Sequence, residues 1–399
     1  MSTRRGRRIT VLHVIEGLGT GGSELQLTAF LVRSDAARFR HEVCTFVPAG
    51  RCAEELVRAG IPVHTLGGAS GAGMVRAAAR LWRLTRRIDA DIVHASLFWP
   101  SVMSRVVGWL ARKPVVTTLV NTPYEPEWLL DNPRLNPRKV RLAQWLDRFT
   151  ASLGRPRFVA VTEAVRESTV RQLGCPRELI EVIPRGLVLN GAAPPGEADR
   201  ATARAALGWQ DAYPVLLNVG RLVPQKGQQY AVRAMPAVLA RFPTARLVVV
   251  GEGWLRGTLE RLVRDLGLEA HVSLLGERRD VQVLLGAADI FVFPSLFEGA
   301  ANALVEAMAA GRPCVASAIP SIGEITDNGR VALLAPLRDP DAIAEGVVRL
   351  AADRDLAARL AAEGQAWALA RYDIGRSVAA LEALYGRLVR AGGRETSSG

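Results

Sequence analysis

Ile290-Phe-Val-Phe293, then Pro294-Ser-Leu-Phe-Glu298-Gly-Ala-Ala-Asn302, then Ala303-Leu-Val-Glu306-Ala-Met308: this run decides how the chain is read. Four apolar residues stopped by a proline read as a strand buried on both faces, the pattern of a parallel sheet covered by helices. A glycine-containing loop and a helical pattern follow, so the run is one strand–loop–helix unit. Open sheets of this kind bind ligands just beyond the carboxyl ends of their strands. Glu298 stands in that loop and Glu306 lies about two turns into the helix, so both carboxylates can face the ligand position. The amides of Ala300, Ala301 and Asn302 point there too, at the positive end of the helix. Together these groups suit an anion that also carries hydroxyls. The plainer reading of Glu306 is an exposed helix charge.

The same alternation runs through the whole chain. One series of apolar runs comprises Ile9–Val14, Glu42–Val47, Pro62–Leu66, Ile92–Leu97, Val115–Val120, Phe158–Val161 and Ile180–Pro184. A second comprises Val215–Val219, Ala245–Val250, Val272–Leu275, Ile290–Phe293, Cys314–Ser317 and Val331–Leu334. Between them lies the Pro- and Gly-rich stretch Val188–Glu197, which reads as a linker. The expected organisation is α/β: a basic Rossmann-like domain over residues 1–190, a linker over 191–200 and a second Rossmann-like domain over 201–375, with a cleft between the two. A helix over 376–391, packing back on the first domain, and a disordered tail over 392–399 complete it.

With 399 residues, 49% hydrophobic and 23% charged, the chain has a globular composition and enough length for two cores. The nearest approach to a spanning segment, Val281–Phe297, is broken by Asp289 and Pro294. Arg-rich residues 1–9 lead into a strand without a signal core, so a cytoplasmic protein is expected. Cys44, Cys52, Cys175 and Cys314 lack metal or disulfide spacing. Charge is uneven: residues 1–190 carry 28 Lys/Arg against 16 Asp/Glu, while residues 191–399 carry 23 of each. The basic half calls for an anionic partner: phospholipid head groups, a phosphorylated acceptor or nucleic acid. In residues 75–88 the cations Arg76, Arg80, Arg83 and Arg87 form one helical stripe beside Ala77, Leu81, Leu84 and Ile88. A second basic segment, Arg134–Arg148, has Tyr124, Trp128 and Trp145 nearby, a mixture suited to an anionic membrane surface. Ordinary solvated faces would read the same way.

Two further motifs follow strands. Glu16-Gly-Leu-Gly-Thr-Gly21-Gly22-Ser-Glu24 opens a helical pattern, so its amides could approach a phosphate. It is neither a GxGxxG fingerprint nor a P-loop, and a tight turn explains it equally. Gly220-Arg221 and Lys226-Gly227 place two cations five residues apart after Val215–Val219. Such a pair can close on a diphosphate, Arg as a fork and Lys as a point charge, or can be a solvated surface pair.

In this order and separation the motifs resemble the retaining GT-B glycosyltransferases of the GT4 family, over about Val11 to Leu388. The most specific part is the pair Glu298 and Glu306 within Pro-Ser-x-x-Glu298-Gly through Glu306-Ala-Met-Ala-Ala-Gly-Arg-Pro-Cys-Val-Ala-Ser317. The resemblance implies a GT-B fold and sugar transfer from a nucleotide-diphosphate sugar, with retention and no catalytic metal. It implies that Arg221 and Lys226 hold the donor diphosphate, that Glu306 takes the ribose hydroxyls and that Glu298 lies near the donor sugar. Gly220, Ala300, Ala301 and Asn302 would line the donor site, Gly21 and Gly22 would meet its phosphates, and Gly276-Glu-Arg278 would flank the base. His94 keeps the first histidine of a common His-x-His pattern, as a site residue or as a buried structural one. Val120 stands where many relatives have histidine, and Ala300 where they have a bulky residue. Asp89-Ala-Asp91 matches the Asp-x-Asp of metal-dependent transferases but precedes its strand, at the end away from ligands.

The expected partners are a nucleotide-sugar donor, a glycan, lipid-linked or small-molecule acceptor, and an anionic membrane surface at the inner face. Neither cofactor nor nucleic acid is expected. The rival readings are a sugar-nucleotide epimerase of similar fold and a non-catalytic module that binds anionic ligands.

Overall fold

In the first half, strands β1 (Ile9–Ile15), β2 (Phe39–Thr45), β3 (Val63–Thr65), β4 (Ile92–Ser96), β5 (Val115–Leu119), β6 (Arg157–Ala160) and β7 (Ile180–Val182) form one sheet. They pair in parallel in the order 3-2-1-4-5-6-7. Period-two alternation sends successive side chains to opposite faces. Val11 and Ile15 join Val43, Ile92 and Val116 in one buried cluster, and Leu12 and Val14 join Cys44, Val93 and Ala95 in another. The helices are α1 (Gly22–Leu31), α2 (Arg51–Arg58), α3 (Ala72–Arg87), α4 (Phe98–Ala111), α5 (Pro137–Ala151) and α6 (Glu163–Leu173). The first cluster is covered by Phe30 of α1 and Leu56 of α2, the second by Ala77, Leu81 and Leu84 of α3 and Met103 and Val107 of α4. Helix α3 is therefore oriented as its sequence stripe requires, with Arg76, Arg80, Arg83 and Arg87 exposed.

The second half repeats the arrangement with β8 (Val215–Val219), β9 (Arg246–Val250), β10 (Val272–Leu274), β11 (Ile290–Phe293), β12 (Cys314–Ser317) and β13 (Leu333–Ala335). These are parallel in the order 10-9-8-11-12-13. Its helices are α7 (Glu197–Leu207), α8 (Gln228–Leu239), α9 (Arg256–Asp265), α10 (Val281–Ala287), α11 (Asn302–Ala309), α12 (Pro320–Ile325), α13 (Pro340–Ala352) and α14 (Arg354–Arg371). A core of Val232 and Met235 from α8 and Val347 from α13 closes on Leu216, Val249 and Val292 of the strands. The last helix, α15 (Ile374–Glu395), supplies Val378, Leu384 and Tyr385 to the first core.

This computed structural model describes residues 7–19, 21–48, 50–68, 72–125, 136–154, 156–189 and 197–395. They fall into two compact units: the described residues up to Val188 with those from Asp373 onward, and those between Leu189 and Tyr372. Every strand expected from the sequence is present; Val215–Val219, Ile290–Phe293 and Cys314–Ser317 keep their bounds, and the others shift at one or both ends. β2 starts at Phe39 rather than Glu42, because Ile9 pairs with Phe39 and its N–H reaches the Arg38 carbonyl at 2.8 Å. Residues 197–200 of the expected linker are helical, and 190–196 lie outside the described residues. The final helix spans 374–395 rather than 376–391, which corrects the tail expected from 392; residues 396–399 lie outside the described residues, as do Trp128 and Arg134.

Both sheets reverse direction of growth once: β1 lies between β2 and β4, and β8 between β9 and β11. Loops leaving the carboxyl ends of the two strands at such a point diverge and leave a crevice. The loops at these points are those after β1 and β4 in one unit and after β8 and β11 in the other.

Candidate functional site

At the second switch point the loops after β8 and β11 are stitched together. Leu296 N–H donates to the Gln225 carbonyl at 2.8 Å, and Gln225 Nε2 donates to the Phe297 carbonyl at 2.9 Å. Gly227 sits between them in the left-handed region, φ +61°, and a Cβ there would come within 2.1 Å of the Pro294 carbonyl oxygen. Only glycine allows this approach. The short turn Pro224–Lys226 is thereby pressed against the β11 loop, and Lys226 Nζ forms an ion pair with Glu298 Oε1. The ammonium also lies 5.5 Å from the Phe293 ring centroid, and the Glu298 side chain is only 7% exposed. Gly220 packs against the aliphatic stem of Lys226, 3.5 Å away from where a Cβ would stand.

Arg221, next along the loop, is exposed, and its side chain pairs with no described residue. Its carbonyl is held by Gln228 Nε2 at 3.0 Å, which fixes the backbone and leaves the guanidinium available. Across the switch point, α11 begins after Ala301, whose φ of 40° and ψ of 48° are left-handed. A side chain with a Cβ is strained there, by roughly 1 kcal/mol or more. No side chain caps the helix, so its first amides keep their positive potential. Glu306 is half-buried one turn further along α11; its carboxyl has no hydrogen bond or ion pair among the described residues, and burial pushes it up to about 7. A carboxyl in that condition lacks donors, and vicinal hydroxyls would provide them. Sequence reading missed three neighbours: Asn218 Oδ1, Gln228 Oε1 and Ser295 Oγ are buried without a partner. Only strand polarity at Asn218, in an otherwise apolar run, hinted at them.

Arg278 follows β10 and the left-handed Gly276, and its guanidinium is taken by Asp280 at 2.9 and 2.6 Å. The side chain expected beside the base is thus turned to its own chain neighbour.

In the first unit Gly21 precedes α1 and Gly22 begins it. A Cβ on Gly21 would stand 2.5 Å from Glu24 Oε2, because that carboxylate folds back over the helix start. Arg185, unremarked in the sequence, donates to Ser23 Oγ at 2.8 Å, and burial lowers its pKa to about 10. His94 does not present a free nitrogen: Nδ1 meets the Tyr385 hydroxyl and Nε2 meets Thr118 Oγ1 at 2.6 Å. Burial, then the neighbouring His41, holds the ring neutral with a pKa of about 3. This is the structural alternative rather than the arrangement of a catalytic acid or base. His94 lies in register beside His13, whose Nε2 meets His41 Nδ1 at 3.0 Å, and His41 Nε2 meets Ser34 Oγ at 2.8 Å. Asp89 pairs with Arg7 and Lys113, and Asp91 accepts the Thr10 N–H at 2.9 Å, so the Asp-x-Asp sequence binds its own chain.

Comparison with known proteins bears on this geometry. Residues 20–190 match a family model described as Glycosyltransferase Family 4, and residues 213–353 one described as Glycosyl transferases group 1. A UDP-Gal:alpha-D-GlcNAc-diphosphoundecaprenol alpha-1,3-galactosyltransferase of Escherichia coli is 30% identical over 281 residues, 69% of this chain and 70% of that protein. A GDP-mannose-dependent alpha-(1-6)-phosphatidylinositol monomannoside mannosyltransferase of Mycolicibacterium smegmatis is 29% identical over 88% of this chain and 90% of its own. Among solved structures, HepE of Anabaena in complex with UDP superposes with a TM-score of 0.81 at 22% identity, covering 95% of this chain and all of that one. Two parallel sheets with ligand loops at their switch points, and kinship along both halves, lead to one assignment: the chain belongs to glycosyltransferase family 4, as a GT-B enzyme that uses nucleotide sugars.

Proposed function

We propose that the chain transfers a sugar with retention, and without a metal ion or further cofactor, from a nucleotide-diphosphate sugar to a lipid-linked or other glycan acceptor. The observation that carries this reading is the meeting of Lys226 with Glu298 across the β8 and β11 loops, beside an unengaged Arg221 and the uncapped start of α11. Departure of a nucleoside diphosphate builds negative charge. Lys226 as a point charge and the α11 amides are fixed before it arrives, with the Arg221 fork free to close on it, and preorganised charge of this kind is the main means of lowering such a barrier. The two cations supply the neutralisation that a divalent ion supplies elsewhere.

Glu306 would accept the ribose hydroxyls. Glu298 has two duties in this scheme: one oxygen steers Lys226, and the carboxylate stands near the donor sugar. Retention without an enzymatic nucleophile requires the acceptor to attack on the face from which the diphosphate departs. The acceptor class draws on the relatives, whose names specify a diphosphoundecaprenol and a phosphatidylinositol mannoside. Incubation with a panel of nucleotide sugars, scored for slow donor hydrolysis, tests the donor site. Hydrolysis of at least one donor, unchanged by chelator, is expected; a strict metal requirement, or no turnover of any donor, overturns the reading. The anomeric configuration of the first product, read by NMR, tests retention.

A further inference from the structure

The first unit leaves large apolar side chains in water on one layer of helices. Trp109 and Leu110 of α4 are 52% and 59% exposed, and Leu142, Trp145 and Phe149 of α5 are 58%, 59% and 52% exposed. The α5 residues follow i, i+3, i+7 spacing and so form one stripe. Trp145 and Phe149 stack at 5.6 Å along it. Helix α4 packs between α3 and α5, so the stripe and the arginine row of α3 belong to the same layer.

The charge on this layer has one sign. Helices α3 and α4 contain no acidic residue, and the only one in α5, Asp147, is paired inward with the buried Arg105. Arg112, Arg138, Lys139, Arg141 and Arg148 are exposed beside the aromatic stripe, and none pairs with a carboxylate among the described residues. An amphipathic face with large aromatic residues and unneutralised cations suits the boundary between head groups and acyl chains of an anionic bilayer. No helix among the described residues is long and apolar enough to cross a membrane.

We infer that the outward faces of α4 and α5 dock the protein on an anionic lipid surface, with Trp109, Leu110, Leu142, Trp145 and Phe149 entering the bilayer boundary and the neighbouring cations meeting lipid phosphates. The inference deepens the lipid-linked acceptor reading and rests on it for its purpose, since docking would bring the enzyme to a membrane-held acceptor. It differs from the arginine row of α3 as the anchor: apolar insertion holds the protein, and that row adds attraction.

The test is co-sedimentation of the full chain with vesicles of phosphatidylcholine, alone or mixed with phosphatidylglycerol. Binding to the mixed vesicles alone is expected, and it persists in part at high salt because insertion is not screened. Trp145→Ala with Phe149→Ala, or Leu142→Gln, lowers the partition coefficient by about tenfold or more, since each removes buried apolar surface. Arg83→Gln with Arg87→Gln lowers it less. Thermal unfolding of each variant checks that the fold is intact. Unchanged binding by both the aromatic pair and Leu142→Gln overturns the inference. So does a parent that binds neither vesicle, including one that instead dimerises through this patch. Donor hydrolysis in solution is read in parallel; its loss would strike the transferase reading and leave the docking result standing.

Discussion

The two sheets have the same order of strands around their switch points and treat polar residues there in opposite ways. At β1 and β4 the first unit seals His13 and His94 beneath Tyr385, with His41 alongside, as neutral hydrogen-bonded rings. At β8 and β11 the second unit keeps ions: a Lys226–Glu298 pair, an unengaged Arg221 and an under-satisfied Glu306. The first unit also carries exposed arginines on α3 and α5. One architecture therefore serves two ends. Polar residues at a switch point hold a core together when fully partnered, and wait for a ligand when they are not.

Acid should separate the two most strongly. The folded pKa values of His41 and His94, about 4 and about 3, lie below the unfolded value near 6.5. The unfolded chain then binds more protons between those limits, so stability is intact above about 6.5 and falls as pH drops toward 4. Each ring contributes a loss of roughly 2 kcal/mol by pH 4.5. Denaturant titrations at pH 7.5 and 4.5, followed by amide exchange, should show the first unit opening first; equal losses in both units would erase the contrast.

Next in size is Lys226→Ala. It removes the proposed phosphate contact and strands a buried carboxylate, so stability should fall by about 3 kcal/mol and turnover by about a hundredfold. Lys226→Met with Glu298→Gln should recover most of the stability and none of the activity. Recovery of both would reduce the pair to packing.

Glu306→Gln comes third, and its two effects have opposite signs. A carboxyl held near 7 costs the unliganded fold stability above the unfolded pKa of about 4.5, fully so above 7. Gln should thus stabilise the free protein by about 1–2 kcal/mol at pH 8, after discounting for partial exposure. Nucleoside diphosphate should bind roughly tenfold more weakly, for want of a charged acceptor. Calorimetry on the parent and on Glu306→Gln would decide; unchanged affinity removes the ribose role. The smallest effect is expected at Arg278→Ala, within about 0.5 kcal/mol in stability and without consequence for donor hydrolysis, because Asp280 already holds that side chain.

Strand identity was legible where the runs are buried along their length, as in β1, β4, β8, β9, β11 and β12, and the loops of interest followed from strand polarity alone. Helix α3 was legible for the same reason: its two stripes differ by one residue and one had to face the sheet. The pairing of Lys226 with Glu298, 72 positions apart, was not, since it depends on Gly227 meeting Pro294 where two loops come together. Ala301 gave no sign of its left-handed backbone, which glycine or asparagine would have advertised. The histidine cluster was not legible: only His94 stands in a motif, and His13, His41 and His94 share one sheet face only when strand order is known. The aromatic stripe of α5 was half visible, in Trp145, but exposure of Leu142 and Phe149 follows from tertiary packing.

Tyr385 has a further consequence, concerning the order in which the molecule is made. Its hydroxyl reaches His94 across 291 positions of sequence, and Glu382 takes the Ser34 hydroxyl across 348. A ribosome releases these residues after the strands of both sheets. The strands of the first unit emerge before those of the second yet lack α15 until residues 374–395 are made, whereas the second unit is complete by Tyr372. What is synthesised first is therefore closed last, and a nascent chain stalled before Tyr385 would show a folded second unit behind an open, chaperone-accessible first one.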